Sequence, residues 1–165
     1  MAAVPRLRVA FDANVLIAGI QWPRWPFEVM RAALQSDWQL CLPVAVVHET
    51  QKHLPAHLHG AFGAYLAAAS CEELLEATLE EVESNRHLVR SAKDVGIAFA
   101  LIEARVDIFV TSDRDFTDPG ATAPAFSEKV QVMLPADFLK VVCHWTSDEL
   151  EAVRTRTWDD PGLTP

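Results

Sequence analysis

Five acidic side chains sit inside or directly beside apolar runs, and that placement limits what this chain can fold into more than any other feature. Asp12 follows Val9-Ala10-Phe11, Glu49 follows Val46-Val47-His48, Asp94 precedes Val95-Gly96-Ile97, and Asp113 and Asp115 follow Val110-Thr111-Ser112. An ionised carboxylate taken out of water is costly unless a positive partner meets it. Isolated buried acids are rare, so several of them beside apolar runs point to a shared cation.

The apolar runs themselves give the architecture. Leu7 to Phe11 and Trp38 to Leu42 have the length and composition of buried strands, as do Asp107 to Ser112 and Val130 to Leu134. Between them lie helical patterns. After a loop following Asp12, the spacing of Phe27, Met30, Ala33 and Leu34 predicts a helix. Pro43 suits the first turn of another running towards Leu54, where its missing N–H would have no partner anyway. The Pro55 to Gly63 stretch interrupts that helix. Further helices are expected at about Ala61 to Ala69, Cys71 to Asn85 and Asp94 to Arg105, the last apolar on nearly every side and so buried on more than one. This alternation predicts an α/β domain with three layers, helices covering both faces of a mainly parallel twisted sheet.

Residues 1–142 are expected to form that domain, and residues 143–165 a helical extension and tail. The extension carries a capping box, Thr146-x-x-Glu149, with a helix to about Arg156 and a turn and frayed end from Trp158. No internal repeat and no linker argue for a second domain.

Composition narrows the function. The formal charge of -9 counts against a surface that tracks nucleic acid along its whole length, although a local basic patch remains compatible with it. Much of the acidic excess lies in Cys71 to Ser84, where glutamates alternate with leucines as on a solvated helix face. Cys41, Cys71 and Cys143 are widely spaced and odd in number, which argues against a disulfide framework or a thiolate zinc site and for a reducing cytoplasm. No stretch approaches the roughly 18 apolar residues of a membrane span, and Asp12 and Asn14 break what would be a secretory apolar core between Arg6 and Ile20.

In an open parallel sheet, ligands collect at the carboxyl edge of the strands, where the crossover helices also begin. Asp12 follows the first strand, Asp113 ends the strand at Asp107 to Ser112, Glu49 lies early in the helix after the second strand, and Asp94 opens a helix. All four would face one cleft. Their mutual repulsion calls for a divalent ion, and a set of hard oxygen ligands selects Mg²⁺ or Mn²⁺, one ion or two. Simpler roles compete at each position: Asp94 can close a capping box with Ser91, Glu49 can be a solvated helix flank, and Asp113 and Asp115 can be turn residues.

Four segments taken in order, Phe11-Asp12-Ala13-Asn14-Val15-Leu16, Leu42 to Glu49, Asp94 to Ala100 and Val110 to Phe116, resemble the PIN-domain nucleases, in particular the VapC-like toxins of bacterial toxin–antitoxin pairs. Val132 to Leu139 is similar to the last strand of that family and its exit into a helix. The resemblance implies that Asp12, Glu49, Asp94 and Asp113 are an acidic quartet binding Mg²⁺ or Mn²⁺, that Asp115 supports it, and that Asn14 and Thr111 orient it. It further implies cleavage of RNA, inhibition by an antitoxin protein, and a homodimer. No motif of the family occurs between Pro55 and Arg90 or after Val142.

Arg86, Arg90, Lys93 and Arg114 are candidates to meet substrate phosphates, with ordinary surface cations as the alternative. Trp22 and Trp25 are candidates to stack bases, to seal a protein interface or to pack over the sheet edge. A zinc reading of His48-Glu49 and His53 fails on spacing, because positions five apart stand about 140° apart around a helix. His57 and His59 are expected to be exposed. Two other functions compete: a PIN-like fold kept only for binding a partner, and a haloacid-dehalogenase-like phosphatase. The phosphatase would want a second Asp where Asn14 stands and a catalytic Lys upstream of the final acids.

Overall fold

Val9, Ala10 and Phe11 are wholly buried, as a strand covered on both faces requires. They belong to β1 (Arg8–Phe11), the central strand in a computed structural model that describes residues 5–161. β2 (Gln39–Pro43) and β4 (Ile108–Val110) flank it, and β3 (Glu72–Leu74) and β5 (Gln131–Met133) form the edges, in the order β3-β2-β1-β4-β5. Every pairing is parallel, with Ala10 opposite both Cys41 and Phe109.

Alternation along the strands splits the core in two. Val9, Phe11, Leu40, Leu42, Ile108 and Val110 pack with α1 (Ala13–Gln21), α2 (Trp25–Gln35), α3 (Val44–His53), α4 (His59–Ala69) and α9 (Pro135–Val141). Ala10, Cys41 and Phe109 belong to the opposite core, to which Val95 and Leu101 of α6 (Val95–Glu103), Phe116 of α7 (Arg114–Thr117) and Phe126 of α8 (Pro124–Ser127) contribute. The sheet therefore lies between two helical layers, and the three-layer α/β/α architecture holds.

Three expectations are corrected. The loop after Asp12 is the nine-residue helix α1, which Asp12 caps. The helix expected over Cys71 to Asn85 is instead edge strand β3, a connecting segment, and the short helix α5 (Leu79–Ser84), which opens on a complete capping box between Thr78 and Glu81. β3 pairs with β2, burying Leu74 while Glu72 meets Arg8 at 2.9 Å. Those backbone bonds to an otherwise unpaired sheet edge outweigh the helical preference of the glutamates. At the far end, the expected capping box forms and starts α10 (Ser147–Val153), but the tail beyond it is fastened over its described part. Trp158 donates to the Gln21 carbonyl at 2.8 Å and packs edge-on against Phe27, and Arg156 meets the buried Glu28 at 2.6 Å. The expected turn from Trp158 is present to Pro161, and its last residues lie outside the described ones.

Among the described residues, no helix is long and apolar enough to cross a membrane.

Candidate metal centre

Asp12 occupies the step from β1 into α1, where its side chain has three neighbours to satisfy it. Its Oδ1 accepts from the backbone N–H of Ala13 at 2.8 Å, and its Oδ2 accepts from the Thr111 hydroxyl at 2.6 Å and from Asn14 Nδ2 at 3.3 Å. Thr111 Oγ1 in turn accepts from the Asp113 backbone N–H at 3.0 Å, and Asn14 Oδ1 from that of Ser112 at 3.2 Å. Asn14 and Thr111 thus tie the end of β4 to the start of α1 and fix the rotamer of Asp12. Burial raises the Asp12 carboxyl above the ordinary range against the pull of Thr111 and Ala13, and the charges of Asp113 and Glu49 raise it further.

Asp94 closes a 3-10 turn (Ala92–Asp94) and leads into α6. It is 7 % exposed, and its Oδ2 has no hydrogen-bond partner. A buried carboxylate oxygen left unpaired costs a substantial desolvation penalty, so the position of this oxygen is one that a cation would fit. The competing role, a capping box with Ser91, is not formed. Burial pushes the Asp94 carboxyl up to about 6; Ser91 pulls it back, and the carboxylates of Asp113 and Asp12 add to the rise.

Asp113 caps α7, its Oδ1 accepting from the backbone N–H of Asp115 at 2.9 Å. Oxygens of Asp94, Asp113 and Asp115 all lie within 4.8 Å of one another. Asp12, Glu49, Asp94 and Asp113 line a single cleft of about 430 Å³ at the carboxyl edge of the sheet. Within that cleft Glu49 stands at the rim, its side chain 56 % exposed and 3.2 Å from His53. Asp115 belongs to the tight oxygen group but not to the cleft wall, because Arg90 holds its Oδ1 at 2.9 Å. Three carboxylates so close, one with an orphaned oxygen, fit a divalent cation with a preference for hard oxygen ligands.

The basic candidates part company. Lys93 lines the cleft. Arg86 is bonded to Glu83 at 2.6 Å, Arg90 to Asp115 and Asp118, and Arg114, highly exposed, stands 4.0 Å from Asp118. Trp25 packs inward, donating to the Leu150 carbonyl at 2.8 Å, whereas Trp22 is half exposed and lines a separate apolar groove with Met30, Tyr65 and Trp158. His57 is exposed as expected; His59 is only partly so, with a ring nitrogen 3.0 Å from the Leu54 carbonyl.

Sequence reasoning missed part of the cleft wall: Leu75, Glu76 and Ala77, from the segment between β3 and α5. The signal that would have found them is Thr78-x-x-Glu81, a capping box that starts the helix at Leu79 and leaves Leu75 to Ala77 outside it.

No family model matches the chain, and no curated protein matches it either. Among solved structures it is similar to the crystal structure of PAE2754 from Pyrobaculum aerophilum, with a TM-score of 0.53 and 15 % identity over 86 % of this chain and all of that one. At that identity the likeness speaks for the fold alone.

Proposed function

We propose that the chain is a metal-dependent endoribonuclease that hydrolyses RNA phosphodiester bonds, with Asp12, Glu49, Asp94 and Asp113 around the reaction centre and Asp115 in support. The observation that carries this reading is the orphaned Oδ2 of the buried Asp94 beside the carboxylates of Asp113 and Asp115. An Mg²⁺ or Mn²⁺ ion held there would supply Lewis acidity, activating water and neutralising charge on the phosphoryl group. The chain's own residues do the rest. Thr111 and Asn14 hold Asp12 in one orientation, the capping bond of Asp113 fixes its second oxygen, and the open cleft admits a phosphodiester. No histidine is among the residues that line the cleft, so the reading assigns no imidazole base.

The resemblance in the four acid-bearing segments further supports a PIN-type nuclease acting in the cytoplasm as the toxin of a toxin–antitoxin pair, with an antitoxin partner and a homodimeric state. The phosphatase reading is weaker, because Asn14, where that family wants an acid, is committed to Asp12 and Thr111.

The test is incubation of an RNA panel with Mn²⁺, with and without chelator. Asp12→Asn and Asp113→Asn should each lower cleavage by on the order of a hundredfold or more while far-ultraviolet circular dichroism stays native. Chelator-insensitive cleavage, or activity surviving both changes, would sink the assignment. An intact protein with no cleavage across the panel would favour a module that only binds a partner.

A further inference from the structure

The cleft is chemically divided. Beside its carboxylates it is lined by Ile17, Val46, Leu75, Val82 and Ile97. Leu75 differs from the others in being 87 % exposed, whereas Val46 is wholly buried. Single exposed leucines are ordinary on protein surfaces. One that forms the wall of a cleft next to a candidate metal centre has a more specific meaning. Strand order sets its place: β3, which ends at Leu74, lies beyond β2, while Asp113 follows β4 on the other side of β1. Leu75 and the acids line the same cleft, so a chain that lays one phosphate at the acids can rest a neighbouring nucleotide against Leu75.

Charge indicates which part of that nucleotide Leu75 touches. Glu76, next to Leu75, also lines the cleft and repels a phosphate, and Lys93 is the only cation among the described residues lining it. Arg86 and Arg90 are already bonded to carboxylates. The cleft is thus poorly equipped to track a polyanionic backbone, but it offers an apolar surface to an uncharged ring. We propose, resting on the nuclease reading above, that Leu75 forms a subsite for the nucleobase beside the scissile phosphate. It is a substrate-binding residue contributed by the segment between β3 and α5. Substrate is gripped there by apolar contact with a base, with few phosphates engaged.

Leu79 supplies an internal control, being 88 % exposed yet absent from the cleft wall. The experiment measures Mn²⁺-dependent cleavage of short single-stranded RNA oligonucleotides by the wild type and by Leu75→Ala, Leu75→Met and Leu79→Ala, with Mn²⁺ affinity followed by calorimetry. Leu75→Ala should raise KM on the order of tenfold, as expected for lost apolar contact in a pocket, with kcat and Mn²⁺ affinity unchanged. Leu75→Met should restore KM, and Leu79→Ala should leave it alone. The slope of log affinity against log salt should correspond to one or two phosphates, about -0.7 each for a single strand. A wild-type KM in Leu75→Ala would overturn the subsite and leave the nuclease reading standing. So would an equal rise in Leu79→Ala, because Leu79 lies off the cleft wall and the effect would then not come from contact within the cleft. A wild type that binds Mn²⁺ and cleaves nothing would overturn the nuclease reading and the subsite with it.

Discussion

At Asp94 the raised carboxyl gives folding a pH dependence of definite sign. Its pKa in the folded chain is about 6, against roughly 3.9 for an unperturbed Asp. Between those values the native state holds the proton more tightly than the unfolded chain does, so the contribution of Asp94 to stability is full below pH 4 and is lost as pH rises through 6. The loss amounts to at most about 3 kcal/mol, and Asp12, shifted in the same direction by burial, adds to it. Without divalent metal the protein should therefore melt at a lower temperature at pH 7.5 than at pH 5. Mn²⁺ at a hundred times its dissociation constant should return about 2.7 kcal/mol at the higher pH. Thermal unfolding in chelator and in Mn²⁺ checks both; a melting temperature indifferent to metal at pH 7.5 would contradict the assigned centre. The acids were legible in sequence because each interrupts or borders an apolar run, and that signal does not depend on the fold. The division of labour among them was not. That Arg90 would bind Asp115, and that Glu49 would stand at the rim, depends on a turn between Arg114 and Asp118 and on helix phase, which spacing alone does not set.

The helices and strands differ in how far their own sequences determine them. β1, β2 and β4 were recognisable because a β-branched or apolar run buried on both faces has little alternative, whereas β5 is an edge strand with Gln131 exposed and was marked only by its apolar residues. α1 was hidden because Asp12 and Asn14 resemble loop residues; both are polar for a reason local to the helix start, one as its cap and the other as a brace on that cap. β3 was hidden because three residues carry too little pattern, and its strand character comes from β2. α1 also packs tightly on α2, and Gly19 is the reason. A Cβ there would lie 3.0 Å from the Pro26 carbonyl oxygen, 3.1 Å from the Phe27 nitrogen and closer still to the Met30 sulfur. Gly19→Ala should destabilise the protein by about 1–3 kcal/mol despite its gain in helix propensity. Urea denaturation measures this, and a stabilised variant would show that the two helices separate readily.

For the molecule as a whole, the tail from Thr146 behaves as part of the domain rather than as an appendage. Glu28 is only 3 % exposed and is met by Arg156 at 2.6 Å and Arg31 at 2.7 Å, while Arg156 also donates to the Pro23 carbonyl. Arg156→Ala leaves a buried carboxylate with one partner and should cost about 2–4 kcal/mol, less than an entirely unpaired charge. The denaturant midpoint should fall with little change in slope; an unaltered midpoint would mean that the tail contributes nothing to stability. A different consequence follows from the position of β1. It pairs with β4, and the Thr111 hydroxyl reaches Asp12 across 99 positions of sequence. A growing chain on the ribosome carries Asp12 early, but it lacks its orienting partner until Thr111 and Asp113 have left the exit tunnel. Pairings so distant in sequence form late and slowly. The carboxylates cannot share an ion until β4 has paired with β1, so the candidate chemistry is withheld at least until the chain has been made through Asp113.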